Sequence, residues 1–216
     1  MKHFLSESDR SYLEQKIKET EERTDLQIVL ATTGRSDSYP EIPWKAFAAG
    51  VSTASLLVFA GHVINPVWFT VTSLLVSIVA ILAIGSLSAI LPIFWPAFAR
   101  VFLSGIRCEL EIRQYASSLF LERELFGTEK RSGILILISQ FEKKIMILPD
   151  KGLETRLSKE ATKNIIARMS DHMHKMKVRE AFEAGLDELV NIISENAEIT
   201  SSKNELPDEI IERDDV

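Results

Sequence analysis

The chain has 216 residues, with 25 Lys+Arg against 31 Asp+Glu for a formal net charge of −6, enough for one domain or two small ones. No basic stripe is available to neutralise phosphates, which argues against a nucleic-acid partner, and a single cysteine, Cys108, excludes an internal disulfide framework or a cysteine-rich zinc site. Charge is segregated, with no Asp, Glu, Lys or Arg in the 54 residues from Ala46 to Ala99.

Met1-Lys2-His3-Phe4 leads directly into charged sequence, without the apolar core or cleavage site of a secretory signal. Ser6, with Asp9 three residues on, forms a weak capping box for a first helix; its narrow stripe, Leu13 and Ile17, extends to about Glu22. Leu26 to Ala31 is a β-branched apolar run ending at Thr32-Thr33-Gly34, the pattern of a buried strand.

Two apolar stretches follow, Phe47 to Ile64 and Val67 to Ala99, and each is long enough to cross a hydrocarbon core of about 30 Å. The turn signal Asn65-Pro66 separates them, so the expected form is a transmembrane helical hairpin. Pro92 and Pro96 divide the second stretch into a span from Val67 to Leu91 and an interfacial segment from Pro92 to Phe102. Trp44, Trp68 and Trp95 fall near the boundaries, where amphipathic rings prefer to lie. Gly50 with Ala54, Ala49 with Thr53, and Ser73 with Ser77 are small residues at helical spacing, able to let two helices approach closely. Lys45, Arg100 and Arg107 flank the hairpin, while the connecting loop carries no Lys or Arg; positive flanks stay inside, which places both termini in the cytoplasm.

After the hairpin, Cys108, Ile112, Tyr115, Ala116, Leu119 and Phe120 repeat at helical spacing, and Gly127 is expected to close that helix. Ile134 to Ser139 and Lys144 to Leu148 read as two strands joined by the tight turn Gln140 to Lys143. Asp150-Lys151-Gly152 ends the second of them, and helices from Ser158 to Met176 and Val178 to Glu195 follow. One strand and one helix cannot stand alone, so residues 1–45 are expected to pack with 100–195 as one domain, interrupted by the hairpin at 46–99. The strand order favours a parallel pair, with the third strand antiparallel to the second. Residues 196–216 hold seven acids and two bases and read as an acidic disordered tail.

Four segments together resemble the TPM domain family: Thr24 to Leu30, Arg35 to Tyr39, Gly127 to Ser139, and Lys144 to Glu154. The resemblance covers residues 5 to 195 and is strongest to the bacterial branch with a membrane hairpin inserted after the first strand. It implies an α/β fold, an α/β/α sandwich with a small mixed sheet. It also implies an association with membrane protein complexes: plant relatives are linked to repair of photosynthetic complexes, and an animal relative is a channel accessory subunit. Acid phosphatase activity and calcium binding have been attributed to some members. This sequence carries Phe4-Leu5-Ser6-Glu7 in place of the usual acidic start and Lys159 in place of an acid, which removes carboxylates a hard cation would need.

Arg35, Asp37 and Tyr39, in the loop after the first strand, are the leading ligand-binding candidates. Ligands gather at the carboxyl ends of strands in open α/β sheets, and Arg can hold a phosphate bidentately. The structural alternative is a local Arg35–Asp37 ion pair, a turn cap at Ser36-Asp37, and Tyr39 at the lipid interface. Asp150 is a further candidate, although an Asp before a Gly-containing turn is more often structural. His172 and His174 lie two apart on a helix and point to different faces, so a shared metal is not expected. Cys108 with Arg113 lacks the spacing and glycines of a cysteine-phosphatase loop, and no phosphate-cradling or zinc-protease motif occurs. The expected role is a non-catalytic, membrane-anchored interaction module with no cofactor. Its expected partners are the lipid bilayer and other membrane proteins, and homo-oligomerisation through the hairpin is compatible with it. The alternative is a weak, metal-assisted acid phosphatase using Arg35, Asp37 and Asp150.

Overall fold

A computed structural model of the chain describes residues 4–65, 70–153, 155–196 and 210–213. Helix α1 (Glu7–Thr24) starts where the sequence places it: Ser6 accepts a hydrogen bond from the Asp9 N–H and the Asp9 carboxylate accepts one from the Ser6 N–H. Asp25, in the left-handed region at φ 58°, ends the helix and turns the chain into β1 (Gln27–Thr33). The chain resumes the domain with α5 (Gly105–Glu122), β2 (Gly133–Ser139), β3 (Lys144–Pro149), α6 (Lys159–Met173), α7 (Val178–Asn196) and β4 (Ile210–Arg213).

The four strands form one mixed sheet in the order β3-β2-β1-β4. β1 pairs parallel with β2, from Gln27↔Gly133 to Thr33↔Ser139, and β2 pairs antiparallel with β3. Every residue of β1 and β2 is buried, as an interior parallel pair requires, because both faces must be covered. One face carries Ile28, Leu30, Ile134, Ile136 and Ile138 into a core with Leu13 and Ile17 of α1, Ile165 and Met169 of α6, and Phe182, Leu186 and Leu189 of α7. The alternating set, Val29, Ala31, Leu135 and Leu137, is equally buried; α5 has the matching buried stripe, Cys108, Ile112, Ala116, Leu119 and Phe120. The fold is α/β, an open mixed sheet layered between helices.

Two expectations within this unit are corrected. Gly127 does not close α5; the helix stops at Glu122, and Glu124 supplies the left-handed residue at φ 51°. Residues Ile210–Arg213 are not disordered tail but an edge strand, parallel to β1 with Leu30↔Ile210 and Thr33↔Arg213. The acids around them masked the adjacent pair of β-branched residues Ile210-Ile211, each 5% exposed. The rest of the expected tail lies outside the described residues.

The chain divides into two compact units, Met1–Asp37 with Cys108–Val216, and Ser38–Arg107. The second unit is built on α2 (Glu41–Ile64) and α3 (Val71–Phe94), followed by a short helix α4 (Pro96–Ala99) and a 3-10 turn at Arg100–Phe102. α2 begins ahead of the charge-free run, since Pro43 lies in the first turn, where backbone N–H groups have no intrahelical partner to lose. α3 runs through Pro92 rather than ending at Leu91, and it breaks at Trp95. Pro66 and Trp68 of the expected turn lie outside the described residues.

The two helices meet at glycines. A Cβ on Gly50 would stand 2.4 Å from Ser88 Oγ, and one on Gly85 would stand 2.5 Å from Val51 Cγ2. Gly50 and the buried Ala54 fit the expected small-residue contact on α2, whereas Ala49 and Thr53 are exposed. On α3 the close approach is made at Gly85 and Ser88, and the hydroxyls of Ser73, Ser77 and Ser88 all bond back to carbonyls three or four residues earlier. At the base of the hairpin, Glu41 pairs with Arg107 at 3.3 Å and Lys45 at 3.9 Å, and Lys45 Nζ donates to the Phe102 carbonyl at 3.1 Å.

Candidate functional site

The carboxyl end of the parallel strands is closed by a short, well-bonded junction. Gln140 N–H donates to the Thr33 carbonyl at 3.1 Å and Phe141 N–H to the Gly34 carbonyl at 2.9 Å, which ties the β2–β3 turn to the segment leaving β1. Glu142, 7% exposed, anchors this junction. Its Oε1 accepts from the Ser36 N–H at 2.9 Å and the Ser36 hydroxyl at 2.6 Å, and its Oε2 accepts from the Ser139 hydroxyl. A carboxylate with three donors in a buried setting is a strong local brace. Thr33 Oγ1 adds a bond to the Arg35 carbonyl at 2.9 Å.

The candidates fall around this frame in different ways. Arg35 lies with its guanidinium 4.2 Å from the centroid of the Phe141 ring, a cation–π contact. Ser36 bonds to Glu142 rather than capping a local turn. Asp37 is half-buried at the end of the first unit. Tyr39, in the second unit, is 1% exposed and left-handed at φ 46°, so its ring is inside the fold and not at a surface facing lipid.

Asp150 is at the opposite end of the sheet. Its N–H donates to the Gly133 carbonyl at 2.8 Å, beside the start of β2, whereas the Arg35 loop follows Thr33, opposite the end of β2 at Ser139. Six strand residues at about 3.3 Å each separate the two by roughly 20 Å. Asp150 is 5% exposed. Its Oδ1 accepts from Arg131 Nη2 at 3.0 Å and from the Lys151 N–H at 2.7 Å, and its Oδ2 stands 2.8 Å from Arg131 Nε as an ion pair. Gly152 is required beside it, since a Cβ there would meet the carbonyl oxygens of Lys130 and Arg131 at 2.3 and 2.5 Å. Asp150-Lys151-Gly152 thus fastens the turn after β3 to the loop before β2.

Calcium, which the family resemblance implies, does not fit this arrangement. The buried carboxylates are spent on Arg131, on hydroxyls and on backbone N–H groups, and the described residues contain no group of three or more His, Cys, Asp or Glu placed to hold a metal ion. His172 is half-buried in the last turn of α6 and His174 is exposed beyond it. Two of the open clefts among the described residues are lined by none of the candidates. One of about 420 Å³ lies in the hairpin between Ser55, Phe59, His62, Leu74 and Ser77. The other, of about 490 Å³, lies beside Arg23, Glu188 and Asn191. Glu142 and Arg131, the residues that organise the two sheet ends, were not singled out from the sequence; an acid three residues after the strand-ending Ser139, and a base two residues before β2, are the only local traces of them.

This is the architecture of an α/β domain with an open mixed sheet, into which an apolar helical pair is inserted after the first strand. The family model described as TPM domain matches residues 104–192, which run from the start of α5 into α7. No curated protein matches the chain. A solved structure, the NMR structure of the BA42 protein from the psychrophilic bacterium Bizionia argentinensis, aligns with a TM-score of 0.57 over 98% of this chain and 97% of that one. At 12% identity the likeness extends to the fold alone.

Proposed function

We propose that the protein is a membrane-anchored TPM-domain interaction module that supports assembly or maintenance of membrane protein complexes. The hairpin carries this reading. α2 and α3 are 24 residues each, with mean hydropathy of 1.7 and 2.7, long enough at about 1.5 Å per residue to cross a bilayer. Leu57, Phe59, Val76, Val79 and Leu87 leave 62–67% of their surface uncovered, which a helix in a water-facing protein would bury and a helix in lipid need not. The basic residues at the hairpin base, Lys45, Arg100 and Arg107, favour two spans with both termini cytoplasmic, in a bacterial inner membrane.

The alternative, phosphate hydrolysis by Arg35, Asp37 and Asp150, requires those groups to converge, and the roughly 20 Å between the sheet ends argues against it. Asp150 is also neutralised by Arg131. Affinity purification of the tagged protein from mild detergent tests the proposal, with specific membrane proteins expected to co-purify. Recovery of the protein alone, together with phosphate release abolished by Asp37→Asn, overturns it. In sealed inside-in vesicles a tag after Val216 is expected to resist external protease, and its digestion refutes the orientation.

A further inference from the structure

The outer edge of β1 reads its neighbour residue by residue. Ile210 enters the main core beside Ile28 and Leu30, and Ile211 is buried with it. Glu212, its side chain 5% exposed, accepts from the backbone N–H groups of Phe4 and Leu5 and pairs with Arg10. Arg213 pairs with Glu122 at 2.5 Å, and its carbonyl accepts the Gly34 N–H at 3.0 Å. β4 covers only Leu30 to Thr33 of the seven-residue β1; beyond it, Glu21 Oε1 takes the Ile28 N–H at 2.6 Å. The rest of the sheet and its helices are connected without β4, which reaches the edge only after a stretch of thirteen residues beyond α7.

We infer that the outer edge of β1 is a strand-acceptor site. Ile210–Arg213 is its exchangeable ligand in cis, and its ligand in trans is an extended peptide segment of a partner protein with two consecutive apolar residues followed by an acid and a base. This deepens the interaction module proposed above and rests on that reading for the existence of the partner. Parallel strand addition supplies backbone pairing for affinity, and the pockets for Ile210, Ile211, Glu212 and Arg213 supply selection. Covalent attachment to the same chain gives the cis ligand a higher effective concentration than a free peptide has, so a free peptide competes poorly until the cis strand is released. Releasing it is expected to improve trans binding at least about tenfold.

The test uses the full chain in detergent and a fluorescein-labelled peptide of residues 207–216. The variant carrying Ile210→Asp and Ile211→Asp is expected to bind the peptide at least about tenfold more tightly than the unaltered protein. A peptide with Glu212→Lys is expected to lose binding and to regain it when the released variant also carries Arg10→Glu. Equal binding by released and unaltered protein, or no discrimination against Glu212→Lys, overturns the inference. Amide exchange on the unaltered protein guards against misfolding of the variant: amides shared by β1 and β4 are expected to exchange at least about tenfold faster than those shared by β1 and β2, through local opening. Equal protection overturns it. Failed peptide binding with membrane proteins still co-purifying removes the acceptor edge and leaves the interaction module standing; peptide binding with no co-purifying protein does the reverse.

Discussion

Replacing Asp150 by Ala separates bracing from chemistry. The substitution removes the ion pair to Arg131 with its single hydrogen bond at 3.0 Å, and the Lys151 N–H bond at 2.7 Å that starts the following turn. Hydrogen bonds to a charged group contribute about 1.5–3 kcal/mol each, and a lost turn or helix cap costs about 1 kcal/mol. Arg131 keeps 47% of its side chain in water, so its release costs little and the pair counts at the low end. The net expectation is a loss of about 2–3 kcal/mol, which lowers the midpoint by roughly 8–12 °C in a domain of this size. Thermal unfolding in detergent, followed by far-ultraviolet circular dichroism, measures it. A midpoint within a degree of the unaltered protein for Asp150→Ala refutes the bracing role.

Two further outcomes are expected. Gly85→Leu cannot keep the α2–α3 contact, because even a Cβ would stand 2.5 Å from Val51 and 3.1 Å from Phe47; the thermal midpoint in detergent is expected to fall by several degrees, and an unchanged midpoint counts against this packing. The α1–α7 contact weakens in alkali. Tyr12 is raised chiefly by its hydrogen bond to Glu183, and Lys16 chiefly by its hydrogen bond to Asp187, so both favour their protonated forms when folded. Their contribution is complete below their ordinary values, about 10 for each, and is lost as pH rises through the higher folded values. Amide exchange in α1 is therefore expected to accelerate above about pH 10 ahead of β2, and simultaneous acceleration rejects the assignment.

The elements legible in the sequence are those whose causes lie within a few residues. The Ser6–Asp9 box, the continuous apolar runs of β1 and β2 and the charge-free hairpin each announce themselves locally, and the need of a lone strand for partners predicts the parallel pair across the hairpin. Sequence patterning also placed Asp150 at the sheet end away from Arg35, once β2 and β3 were read as a hairpin.

What the local pattern could not carry is the choice of partner. Glu142 meets Ser36 over a separation of 106 residues, and Glu212 meets Arg10 over 202. Neither pairing leaves a periodic trace, because a charged side chain in a turn or an acidic stretch looks solvated until its donors are brought to it. The glycines behave likewise: Gly50 and Gly85 read as small residues, and only the opposing helix surface makes a side chain there impossible. By itself the sequence determined which segments are helix, strand and apolar hairpin, since propensity, capping and hydropathy act over one or two turns. Tertiary packing alone decided that Ile210–Arg213 joins the sheet and that Arg131 claims Asp150, because burial and desolvation depend on surfaces contributed by distant parts of the chain.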